Sequence, residues 1–183
     1  MPSDKKRLYI ALYPSGVANN PERMYHWGFI IGPKETKKVK SSQDPPTGKR
    51  CHVKNRGKKG VPGGEWFYEE RDLPNAQTSV QLLARLVIAK VEDEARLLAI
   101  IRNGPVITGD PNWRCRTWCA GVLQRLKEDG RAVGTSQLDW PTIEAFGREY
   151  VAGKNAAKRY DTQELVLGPK PTYDMIEDKE LLP

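Results

Sequence analysis

The sequence predicts an α+β domain, with one antiparallel sheet packed by helices on one side. Two observations predict it. The front of the chain holds short runs that alternate with a period of two, and the back holds longer runs with a period near 3.6. Glycine and proline clusters separate them. The length of 183 residues suits one hydrophobic core, which ~100–200 residues usually build.

Each element has its own signal. Residues 7–13 (RLYIALY) put Leu8, Ile10 and Leu12 on one face and Tyr9 and Tyr13 on the other, the pattern of a strand. Residues 25–31 (YHWGFII) form an aromatic and β-branched run that stops at Gly32-Pro33. A lysine-rich loop with Pro45-Pro46-Thr47-Gly48 leads to a third strand at 49–55 (KRCHVKN). The glycine-rich RGKKGVPGG then leads to a fourth at 64–71. Antiparallel pairing of these neighbours is the simplest topology. LLARLVIAKV at 82–91 fits both periods and reads as a buried strand. Residues 92–104 read as a helix led by acidic residues and ended by Asn103-Gly104. Residues 112–129 form a second helix, stopped by Asp129-Gly130. A third covers 142–159, with Asp139 as its cap. Residues 1–168 are expected to form one catalytic-type domain. The acidic YDMIEDKELLP belongs to a C-terminal tail, 169–183, packed on the body or free.

Charge and cysteine usage exclude some classes. Hydrophobic residues at 38% and charged residues at 29% describe a foldable chain, and no run approaches the ~18 apolar residues of a membrane helix. LYIALY is too short for an export signal, so a cytoplasmic location is expected. Three cysteines, an odd number, argue against a disulfide framework. The net charge of +7 is concentrated at 34–59, where ten lysines and arginines oppose only Glu35 and Asp44. Such a patch suits an acidic partner. It lacks the interleaved aromatics of a nucleic-acid surface, which argues against that partner.

The residues that carry chemistry are few. His26 and His52 are the two histidines, each inside a predicted strand, and neighbouring strands can bring their rings together. Cys115 leads a helix whose buried face is Cys115, Trp118, Cys119, Val122 and Leu126, so its thiol is expected to point at the sheet and the histidines. A helix N-terminus favours the thiolate. A histidine beside it takes the proton and returns it to a leaving group. A second polar group orients that histidine: His52, Asn55 or Glu65. The backbone N–H of Cys115 is one donor for an oxyanion. Trp27, Trp113, Arg114 and Arg116 are the candidate substrate contacts, although Trp113 also suits a staple at the helix start. Cysteine on an apolar face is also a common packing residue, and Cys119 and Cys51 read that way. Cys115, Cys119, His26 and His52 would make a zinc set by residue type, but their spacing is not that of a zinc finger. No metal or cofactor is expected.

YHWGFIIGPK, CHVKN, WRCRTW and GTSQLDW resemble, over most of the chain, a group of fungal proteins of unknown function. More remotely, the order strand-His, strand-His, helix-Cys is similar to circularly permuted NlpC/P60-like (papain-like) thiol hydrolases, including the lecithin:retinol acyltransferase and PPPDE peptidase groups. The resemblance implies a permuted papain-like fold, with Cys115 as nucleophile, His26 as base and His52 as orienting residue. The acyltransferases continue from their cysteine with an Asn-Cys-Glu-His-Phe type motif. Here Arg114-Cys115-Arg116-Thr117-Trp118 departs from it, which leaves the substrate open.

Two functions follow as expectations. One is a cysteine-dependent hydrolase or acyltransferase that attacks an amide, ester or thioester of a small-molecule or peptide acyl substrate. The other is a non-enzymatic binding protein that holds an acidic partner with the basic 34–59 region.

Overall fold

A computed structural model describes residues 5–35 and 47–183. Eight strands form one sheet. They are β1 (Arg7–Pro14), β2 (Tyr25–Gly32), β3 (Gly48–Arg56), β4 (Glu65–Leu73), β5 (Ala84–Val91), β6 (Val133–Ser136), β7 (Thr172–Asp174) and β8 (Lys179–Leu182). The order across the sheet is β4-β3-β2-β1-β5-β7-β8, and β6 also pairs with β5. The helices are α1 (Glu94–Arg102), α2 (Cys115–Asp129), α3 (Trp140–Ala156) and α4 (Gln163–Leu167).

The period-two pattern sorts the side chains onto two faces. Leu8, Ile10, Leu12, Trp27, Phe29, Cys51 and Val53 face a core completed by Leu97 and Ile101 of α1, by Trp118, Val122 and Leu126 of α2, and by Ile143 and Val151 of α3. Tyr9, Ala11, Tyr13, Ile30 and Val87 face the other way. They are covered by Ala76 and Leu82 of the β4–β5 connection and by Ile176 and Leu181 near the C-terminus. Helices α1, α2 and α3 therefore share one face of a mixed α/β fold.

Two boundaries differ from the expectation, for local reasons. Helix α2 begins at Cys115 and not at 112, because Asp110 holds the preceding residues in a turn. Its carboxylate accepts from the Asn112 N–H at 2.8 Å and its carbonyl from the Trp113 N–H at 3.2 Å. Helix α3 begins earlier, at Trp140, where Asp139 accepts from the Thr142 N–H at 3.0 Å and Pro141 fits the first turn. Gly130 ends α2 at φ 63°, a conformation glycine adopts without strain.

The larger correction concerns 169–183. This segment contributes strands to the sheet instead of trailing from the body. Thr172, Tyr173 and Asp174 pair in parallel with Arg85, Leu86 and Val87, and β8 then pairs antiparallel with β7. The β5–β7 pair is the parallel one in an otherwise antiparallel sheet. Parallel neighbours need a long crossover, and the stretch from α1 to α4 supplies it.

Candidate active site

The site forms where β2 and β3 part. Their ladder runs from Ile31↔Lys49 to Phe29↔Cys51 and stops there. The backbone of a strand points alternately to its two neighbours. Leu12 gives its carbonyl to the N–H of Leu83, near β5. Its antiparallel partner Trp27 therefore turns its N–H away from β1, toward the gap left by β3. Cys115 lies in that direction, where the Trp27 N–H favours its thiolate form. The N–H groups of Cys115 and Arg116, at the start of α2, favour the thiolate as well. An arginine at the cap position offers no acceptor oxygen, so these first-turn donors have no side-chain cap to satisfy them.

The histidines stand on the opposite face of the sheet from α2. Trp27, Phe29, Cys51 and Val53 face the helices, so His26, next to Trp27, and His52, between Cys51 and Val53, face away. His26 lies beside Tyr13, with ring centroids 5.9 Å apart. Cys115 and the imidazoles thus belong to opposite faces of the sheet. They share a cleft only because the strands part and open a passage between the faces.

On that far face the histidines form a hydrogen-bonded chain. His26 Nε2 lies 2.8 Å from His52 Nδ1, and His52 Nε2 lies 2.9 Å from Glu69 Oε1. His52 and Glu69 are directly opposed in the β3–β4 register. Gly28 makes room: a Cβ there would stand 2.9 Å from the Cβ of His52. With Glu69 ionised, His52 Nε2–H donates to it, and His52 Nδ1 accepts from His26 Nε2–H. The His26 Nδ1 lone pair is left, and among the described residues it has no protein partner.

The charge states follow from the surroundings. Burial pushes the His26 pKa down to about 4, helped by the positive charges of His52, Arg50 and Lys54. Burial also lowers His52, against the pull of its bond to Glu69. That bond holds the Glu69 carboxyl below its usual range. Burial raises the Cys115 thiol, opposed by the three N–H groups and the Arg114 charge. Near neutral pH the site therefore holds a thiol, two neutral imidazoles and a carboxylate. No hydrogen bond joins Cys115 to either imidazole.

A cleft of about 670 Å³ connects these groups. Cys115, His26, His52, Arg114 and Arg116 all line it. The other two expected contacts do not. Trp27 is fully buried and meets Trp140 of α3 edge-on at 5.2 Å. Trp113 is also buried and meets Trp66 at 5.5 Å. Trp66 lines the cleft instead. Asn55 and Glu65 play no part in orienting the histidines. Asn55 donates to the Gly63 carbonyl at 2.5 Å, and Glu65 pairs with Arg56 and Lys58. Glu69, which the sequence reading missed, does the orienting. Its alternation with Tyr68 and its place opposite His52 were the only signals.

The zinc arrangement does not form. Cys119 is sealed in the core, three of the four imidazole nitrogens are hydrogen-bonded within the His26–His52–Glu69 chain, and among the described residues no three His, Cys, Asp or Glu side chains group to hold a metal. The other free cysteine, Cys51, is buried, and burial raises its pKa to about 11.

The basic region is largely neutralised across the strands. Lys49 pairs with Glu70 and Asp72. Arg50 and Lys54 each approach Glu69 to 3.6 Å. Lys37, Lys38 and Lys40, on which the binding expectation leans, lie outside the described residues. Among the described residues no helix is long and apolar enough to cross a membrane.

The fold and site define a mixed α/β domain with a cysteine and a His–His–Glu chain on one cleft. Residues 5–182 match DUF6914, a family of unknown function, and the chain belongs to that family. No curated protein and no solved structure matches it.

Proposed function

We propose that the protein is a cysteine-dependent hydrolase or acyltransferase acting on an amide, ester or thioester. One observation carries this reading: Cys115 and His26 line one open cleft, and the His26–His52–Glu69 chain leaves His26 Nδ1 as the unengaged base. Cys115 Sγ attacks the carbonyl carbon and its proton passes to His26 Nδ1, on closure of the cleft or through one water. The backbone N–H groups at the start of α2 and of Trp27 are the candidate donors to the developing oxyanion. Collapse expels the leaving group, which takes the proton back, and leaves an acyl thioester on Cys115. Water or an acceptor amine, deprotonated by His26, then releases the acyl group. The order strand-His, strand-His, helix-Cys is that of the permuted NlpC/P60-like enzymes, and the resemblance supports the same roles.

The test is acylation by p-nitrophenyl acetate, read as p-nitrophenol release and as added mass on Cys115. Wild-type protein is expected to acylate at Cys115 much faster than a simple thiol. Cys115→Ala removes the adduct, and His26→Ala slows it by ~10²–10⁴-fold. The pH profile adds a signature. His26 must be neutral to act, and its lowered pKa keeps it neutral down to about 4. The acid limb therefore falls near pH 4, well below the ~6.5 of an ordinary imidazole. Acylation of Cys115 no faster than that of glutathione sinks the proposal.

A further inference from the structure

The cleft contains donors that acyl transfer alone does not use. Among the described residues its lining holds the cations Arg23, Arg50, Lys54, Lys58, Arg114 and Arg116 and one carboxylate, Glu22. Most of these cations are engaged. Arg116 pairs with Glu22 and Glu144, and Arg50 and Lys54 approach Glu69. Arg23, which also lines the cleft, is unpaired among the described residues but exposed; Arg114 is the half-buried exception. Among the described residues its guanidinium has no hydrogen-bond or ion-pair partner, and its Nε is shut off from solvent with no acceptor. It stands next to Cys115 in the chain, and its charge reaches the sulfur.

A second, independent group lines the cleft from the other face of the sheet. Tyr13 lines the cleft and is only 5% exposed, yet among the described residues its hydroxyl finds no acceptor. Arg50 lies over its ring, with the guanidinium carbon 5.8 Å from the centroid, and the Arg50 Nε is also unsatisfied. Buried donors without acceptors are costly and rare. A phenol hydroxyl and two guanidinium N–H groups ask for one kind of group, an oxyanion. A planar carboxylate matches the edge of a guanidinium with two parallel bonds.

We infer that the cleft holds the carboxylate of an acidic acyl substrate, with Arg114 as its main partner and Tyr13 and Arg50 completing the pocket. The word acyl rests on the function proposed above; the carboxylate site itself does not. The reacting carbonyl then belongs to a molecule with a second, negatively charged end, such as a dicarboxylic acyl group or an acidic peptide.

Calorimetric titration with glutarate, and with its uncharged analogue glutaramide, tests this without any covalent step. Both wild-type protein and Cys115→Ala are expected to bind glutarate about tenfold tighter or more than glutaramide, the effect of one charge-assisted pair. Arg114→Gln abolishes that preference while leaving the unfolding midpoint unchanged, and inorganic phosphate binds more weakly than glutarate. Equal binding of glutarate and glutaramide by wild-type protein overturns the inference, whatever the variant does. So does a preference that survives Arg114→Gln, and tighter binding of phosphate replaces the carboxylate with a phosphoryl group. A glutarate preference in a protein whose Cys115 does not acylate keeps the anion site and removes the acyl chemistry. Acylation without the preference does the reverse.

Discussion

At the scale of single residues, the chain from His26 through His52 to Glu69 decides what the cleft can do. Glu69 touches neither Cys115 nor the open cleft, so it acts by positioning. It fixes which nitrogen of His52 carries a proton and so which nitrogen of His26 is free. It also neutralises Arg50 and Lys54. Glu69→Gln keeps a hydrogen-bonding side chain and removes the charge. The two cations near His26 then stand uncompensated, and a less basic His26 follows. The rate of acylation is expected to fall by about tenfold or more, and the acid limb moves below its position near pH 4. A purely structural role for Glu69 would lower the amount of folded protein and leave the pH of that limb unchanged. Measured profiles of wild-type protein and Glu69→Gln, normalised to active protein, separate the two.

At the scale of elements, alternation revealed the strands, and helical spacing revealed the face of α2 that is buried. Cys115, Trp118, Cys119 and Val122 are all in the core, as the spacing required. The face of the histidines was also present in the pattern, since Tyr25, Trp27 and Phe29 form an apolar stripe that leaves His26 and Gly28 on the other face. What spacing could not supply is the parting of β2 from β3. That depends on strand pairing over a distance, and it alone lets a thiol from one face meet a cleft lined by imidazoles from the other. Glu69 was hidden for the same reason: cross-strand partners follow register, which a short polar strand specifies weakly. Gly28 sits beside the parting point and tests it. Gly28→Ala places a methyl 2.9 Å from the Cβ of His52 and 3.3 Å from the Cys51 carbonyl oxygen. Both neighbours are anchored in β3, so one strand must shift, at a cost of about 1–3 kcal/mol. The expected result is a folded protein with a lower denaturation midpoint and a lost hydrogen bond between the imidazoles. Ring N–H resonances, which are protected from exchange only while that bond holds, report the loss. A variant with unchanged midpoint and unchanged ring resonances would show that the close approach is not what positions His52.

At the scale of the whole molecule, the C-terminal segment closes the far face. Its acidic composition concealed this, because β7 and β8 are too short to show a period and their partners lie elsewhere in the chain. The contacts are specific. The N–H of Arg85 donates to the Pro171 carbonyl at 3.0 Å, and its guanidinium to Thr172 Oγ1 at 2.9 Å and to Glu35 at 2.6 Å. Arg85 is entirely buried, so Thr172 and Glu35 offset the cost of taking its charge out of water. Ile176 and Leu181 meanwhile pack against the cluster that includes Leu82 and Val87. Ending the chain at residue 168 removes two of the Arg85 acceptors and uncovers apolar side chains whose full burial contributes about 1.5–3 kcal/mol each. It also bares an edge of β5, a template for pairing with other chains. The expected outcome is a truncated protein with a lower denaturation midpoint, destabilised by about 1.5–3 kcal/mol or more, or one recovered only as aggregate. A dispensable tail predicts unchanged unfolding and an unchanged acylation rate. The site helps to distinguish the two, because Tyr13, which lines the cleft, shares its sheet face with Leu82 and Val87. Loss of the C-terminal strands should therefore loosen glutarate binding even in whatever fraction stays folded.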